Sequence, residues 1–181
     1  MASSLGQAPR LPPLLVFGYG NPSRGDDALG PDLVDALQPR VESGQWRHLE
    51  LLTDFQLQVE HILDMEPREL ILFVDADMKC LVPFRFSEIL PRRDRSYTSH
   101  AMTPEALLYT YREVLQHPPP PSFMLSIAGN SFGLGECLTP EAAENFDRAM
   151  AFIERLCSGV NVAAWRGLCV DDSQNPVAKR S

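Results

Sequence analysis

The segment Leu70-Ile71-Leu72-Phe73-Val74, cut off by Asp75-Ala76-Asp77, constrains this chain more than any other. Successive side chains of a strand point to opposite faces, so five large apolar residues in a row demand burial on both sides. A parallel sheet covered by helices on each face supplies that environment. Leu14-Leu15-Val16-Phe17-Gly18-Tyr19 repeats the pattern and runs into the glycine-rich stretch Gly20-Asn21-Pro22-Ser23-Arg24-Gly25-Asp26-Asp27. Apolar residues at Leu29, Leu33, Val34 and Leu37 then recur at helical spacing, with Pro39 expected to stop the helix.

The rest of the chain continues the alternation. Gln45 to Thr53 reads as a second strand closing at Asp54, followed by a short helix through Val59, Ile62 and Leu63. Phe84 to Ile89 alternates apolar with polar residues, as a half-exposed edge strand does. Thr103-Pro104-Glu105 and Thr139-Pro140-Glu141 each combine a cap, a proline at the first helical position and an acid in the first turn. The first of these helices should run to about Gln116, and the second carries Phe146, Met150, Ile153 and Leu156. Between them, Pro118 to Pro121 forms a stiff connector and Phe123 to Ala128 a fifth strand. The expectation is a single three-layer α/β domain over residues 1–158, built on a twisted, mostly parallel sheet of about five strands flanked by helices. Residues 159–181 are expected to form a loosely ordered tail.

Composition narrows the function. The 181 residues carry a formal net charge of −8, with 44% hydrophobic and 22% charged residues. That balance suits a globular domain and argues against nucleic acid or anionic membranes as partners. Cys80, Cys137, Cys157 and Cys169 are scattered without a CxxC pair, so they read as reduced thiols. The first ten residues lack the apolar core of a secretory signal, and no segment approaches a membrane span, so a cytoplasmic location is expected.

In open α/β sheets, ligands gather outside the carboxyl ends of the strands. There the sequence is acidic: Asp26 and Asp27 follow strand one, Asp54 strand two, Asp75 and Asp77 strand three, and Ser99-His100 precedes the third helix. Each acid has a plainer reading. One of Asp26 and Asp27 can serve as a helix cap, and Asp54, Asp75 and Asp77 can be turn formers. His48, His61 and His117 read as solvated, whereas His100 stands out through its acidic company. Carboxylates plus imidazole suit a divalent first-row metal such as nickel, zinc or manganese. Gly18-Tyr19-Gly20 is a poor dinucleotide fingerprint, because Ser23 replaces the third glycine and Asp26-Asp27 would repel pyrophosphate. Gly129-Asn130-Ser131-Phe132-Gly133 matches a nucleophile elbow, yet no helix follows at once and no histidine follows Ser131.

Gly18 to Gly30, then Leu72-Phe73-Val74-Asp75-Ala76, then Ser99-His100 before a helix, resemble the maturation endopeptidases of nickel-iron hydrogenases. The likeness runs from about Leu14 to Leu156. It implies an aspartic-type endopeptidase that removes a carboxyl-terminal extension from the nickel-loaded precursor of the hydrogenase large subunit. By motif position it implies that Asp27, Asp75 and His100 contact metal, the nickel being supplied by the precursor. Asp27 and Asp75 are also the implied catalytic acids, and Asp54 is the candidate supporting acid or base. Many members carry Glu at the position of Asp27, and Asp54-Phe55-Gln56-Leu57-Gln58 departs from the family's glycine-rich turn. The chain looks like the branch serving NAD-coupled soluble hydrogenases, and the free enzyme is expected to be a monomer. The alternative is a non-catalytic metallochaperone that uses the same three ligands to check nickel.

Overall fold

A computed structural model describes residues 11–93 and 102–169. Its centre is a five-stranded sheet of β1 (Leu14–Tyr19), β2 (Leu49–Asp54), β3 (Leu70–Asp77), β4 (Phe84–Ile89) and β5 (Ser122–Ala128). The spatial order is β2-β1-β3-β5-β4. All pairings are parallel except β4 with β5, so the alternating segment does lie on an edge. Helices α1 (Leu29–Glu42), α2 (Ile62–Met65), α3 (Pro104–Leu115), α4 (Pro140–Leu156) and α5 (Val162–Arg166) complete the domain.

The apolar segments behave as their composition demands. In β1, Leu14 and Val16 enter a core shared with α1 and α4, while Leu15 and Phe17 enter a second core with α2 and α3. The same division separates Leu70, Leu72 and Val74 from Ile71 and Phe73 in β3. All nine of these side chains are fully buried, each worth roughly 1.5–3 kcal/mol relative to exposure. Hence the sheet has two apolar faces and the molecule three layers.

Both Thr-Pro-Glu starts are real. Thr103 Oγ1 accepts from Ala106 N and Thr139 Oγ1 from Ala142 N, each at 3.2 Å. Pro39, by contrast, lies inside α1 and does not end it. The last turn is anchored from outside: Arg40 lies over the Trp46 ring at 5.3 Å and pairs with Glu154 of α4. These contacts offset the backbone bond that a proline removes. Trp46 itself packs in the core, and β2 begins later than its composition suggests, at Leu49.

A second correction concerns the chain after Gly159. Up to Cys169 it is not loose: α5 is capped by Asn161, and Trp165 is 2% exposed against Phe86 and Phe123, with ring centroids 5.9 and 5.3 Å away. One large ring buried on the sheet outweighs the polar character of its neighbours. Arg166 adds a bidentate pairing with Glu88 of β4. Among the described residues no helix is long and apolar enough to cross a membrane.

Candidate active site

The chain leaves β1 for β2 on one side of the sheet, while β3 lies on the other side, so a crevice opens between the carboxyl ends of β1 and β3. A cleft of 370 Å³ occupies this position, lined among others by Tyr19, Asn21, Arg24, Asp27, Asp75 and Met102. Two of the expected acids, Asp27 and Asp75, therefore meet.

Glycines make that meeting possible. Gly20 has φ +139°, and a Cβ there would sit 2.1 Å from the Asp27 carbonyl oxygen. At Gly30 a Cβ would lie 2.5 Å from the Tyr19 carbonyl oxygen and 2.7 Å from that of Val74, so α1 can press onto the ends of β1 and β3. The turn holds Asp27 through Asn21 N–H, which donates to Oδ2 at 3.0 Å.

Asp75 is held by Ala76 N–H, which donates to Oδ1 at 2.8 Å, and by a side-chain hydrogen bond with Tyr19. Burial pushes its pKa up to about 8, and the negative charges of Asp27 and Asp77 act in the same direction against those hydrogen bonds. Burial, followed by the charge of Asp75, also raises the Tyr19 hydroxyl well above its usual range, so Tyr19 remains a donor to the carboxylate.

The neighbouring Asp26 has a different occupation. It is fully buried and does not cap α1; it faces the chain that follows β5. Its carboxylate accepts from the backbone N–H groups of Asn130 (2.7 Å), Ser131 (3.0 Å) and Thr139 (2.7 Å), and from the Thr139 hydroxyl (3.0 Å). Burial alone would raise its pKa, but these bonds outweigh burial and hold it below the usual value. Ser131, the centre of the elbow-like motif, is used here as well: its N–H reaches Asp26, its carbonyl accepts from Asp26 N at 2.7 Å, and its hydroxyl bonds Glu136.

Asp54 opens on an adjacent cleft of 410 Å³, lined by Gly20, Pro22, Pro31, Thr53 and Phe55. Gly20 and Phe55 also line the first cleft, so the two share a wall. His61 is not solvated as its sequence context suggests. It is 9% exposed, its ring packs edge-on against Phe17 at 4.7 Å, and Nε2 lies 3.2 Å from Asp54 Oδ2. His48 is engaged too, with Nε2 2.8 Å from the Cys157 carbonyl oxygen. Neither partner could be inferred from sequence, because each is supplied by a distant or turned segment. His100 lies outside the described residues.

The described part of the site thus offers two carboxylates at a switch-point crevice. Among the described residues no group of three His, Cys, Asp or Glu side chains could hold a metal ion. Asp75 is kept protonated near neutral pH by burial, with the charge of Asp27 adding to it.

Fold and site together define an open α/β protein with an acidic crevice at its topological switch point. Solved structures of hydrogenase maturation proteases share this fold. The NiFe hydrogenase maturation protease HycI from Thermococcus kodakarensis superposes with a TM-score of 0.64 at 19% identity, covering 82% of this chain and 94% of that one. The hydrogenase maturating endopeptidase HybD from E. coli gives 0.60 at 20% identity, over 79% and 90%. A hydrogenase 2 maturation peptidase from a Thaumarchaeota archaeon gives 0.55 at 21%, over 81% and 99%. No family model matches the chain, and no curated protein matches it.

Proposed function

We propose that this chain is a maturation endopeptidase of a nickel-iron hydrogenase, cutting a carboxyl-terminal extension from the large-subunit precursor. One observation carries the reading: Asp27 and Asp75, distant in sequence, share one cleft at the switch point of a fold that hydrogenase maturation proteases also adopt.

In this reading the nickel belongs to the precursor and is part of the substrate. Asp27 and Asp75, with His100, recognise it, so that metal loading licenses the cut. Nickel brought to this cleft would displace the proton of Asp75 to solvent, and the metal's positive charge would offset the repulsion between the two carboxylates that this creates. A bound divalent ion supplies polarisation of the scissile carbonyl or of a water. Asp54 on the adjoining cleft is the supporting acid that accepts a proton or orients the substrate backbone. The expected location is the cytoplasm, where the precursor would be met, and the free enzyme is a monomer.

The test compares nickel-loaded with nickel-free precursor, using wild type and Asp75→Asn, and follows precursor mass. Cleavage of the loaded form alone by wild type, with loss in the variant, is expected. Equal cleavage of both forms would defeat metal licensing while leaving the endopeptidase. Nickel transfer to or from an uncut precursor would mark a metallochaperone.

A further inference from the structure

The contacts around His61 identify one more residue of the site. Gln58 N–H donates to His61 Nδ1 at 2.9 Å, so that nitrogen is an acceptor and the ring proton of the neutral imidazole sits on Nε2. Nε2–H is then directed at Asp54 Oδ2, 3.2 Å away. The other carboxylate oxygen, Oδ1, accepts from Phe55 N–H at 2.6 Å. Both oxygens of Asp54 are therefore tied, one to its own backbone turn and one to a ring that is itself held at both ends. Phe17 packs edge-on against the imidazole and limits its rotation.

We infer that His61 is a positioning residue, which fixes the orientation of the Asp54 carboxylate at the mouth of its 410 Å³ cleft. The arrangement has the logic of a base oriented by a third group. An aspartate at a strand end, 30% exposed in its side chain, would otherwise sample several rotamers and spend part of its time turned to solvent. The His61 proton selects one of them. The inference rests on the reading of Asp54 as the supporting acid, and it adds a residue from the 3-10 turn Val59–His61 to the site.

Two amide substitutions separate the two ring nitrogens. His61→Gln places an amide donor near the Nε2 position, whereas His61→Asn keeps an acceptor near Nδ1 and loses the reach to Asp54. With nickel-loaded precursor, His61→Asn should lower kcat roughly 10-fold or more with little change in KM, and His61→Gln should retain most of the activity. In an Asp54→Asn background, His61→Asn should cost nothing further. The reverse pattern, Asn active and Gln inactive, would make His61 a cap for the turn and overturn the inference, as would wild-type kcat in both variants. A readout independent of turnover is the imidazole nitrogen NMR spectrum of the free enzyme. It should show the proton on Nε2, exchanging faster in Asp54→Asn. A proton on Nδ1 would sink the inference whether or not the precursor is cut. If wild type fails to cut loaded precursor while this spectrum is as expected, the proposed function fails and the His61–Asp54 contact stands.

Discussion

Asp26 is a buried carboxylate and Asp75 a partly buried one at the same end of the sheet, yet their surroundings push them in opposite directions. Asp26 accepts three backbone N–H bonds and one hydroxyl, and its pKa falls. Asp75 is partly buried beside Asp27 and Asp77, with fewer donors aimed at it, and its pKa rises to about 8. Burial is unfavourable for the charged form in both places; four donors outweigh it at Asp26, whereas at Asp75 the charges of Asp27 and Asp77 add to it. The first site ties the segment after β5 to the first turn. The second crowds carboxyl groups at a cleft, and the proton that Asp75 retains relieves their repulsion.

The largest test of that contrast is activity. Asp75→Asn should reduce precursor cleavage by about 100-fold or more, measured as product mass over time, while the protein stays folded. Asp26→Ala should do the opposite. Stability should fall by about 4 kcal/mol, since several buried donors lose their acceptor, and urea unfolding would measure it. Turnover per folded molecule should change little. Loss of activity in a fully folded Asp26→Ala protein would erase the distinction between the two sites.

The two acids also predict opposite pH dependence. Asp75 binds its proton more tightly folded than unfolded, so its contribution to stability is fully present below the ordinary value of 3.8 and is lost as pH rises through about 8. The slope should reach at most about 1.4 kcal/mol per pH unit in that window. Asp75→Asn should flatten it, seen in urea midpoints from pH 5 to 8. Asp26 is depressed, so its contribution is present above 3.8 and lost as pH falls through its lowered value. An acid limb of unfolding that vanishes in Asp26→Asn would confirm that sign. The smallest effect is expected from Asp27→Asn, which removes one of the charges raising Asp75 and should shift its carboxyl titration downward by NMR. An unmoved titration would mean that the charge of Asp27 does not act on Asp75.

Much of the fold was legible because burial on both faces leaves a mark in composition. The fully apolar segments of β1 and β3, the alternating β4 and the two Thr-Pro-Glu caps all appear where their residues predict. Pro39 and Trp165 were misleading for a common reason. Each is governed by contacts with distant residues, Glu154 with Arg40 in one case and Phe86 and Phe123 in the other. The site was legible in part. Strand ends pointed to Asp27, Asp54 and Asp75, yet nothing in the residues separated Asp26 from Asp27, which are adjacent and chemically identical.

By itself, the sequence determined the layers, the acidic rim and the glycines that let the chain cross close to Asp27, because these follow from side-chain size, polarity and backbone freedom. Tertiary structure alone decided which acid works for the fold and which faces the cleft. The donors that lower Asp26 come from residues 130–139, the proton that orients Asp54 comes from His61, and the neighbour that helps raise Asp75 comes from the first turn. A carboxylate's charge state depends on what surrounds it in space, and that is set only when the strands have taken their order.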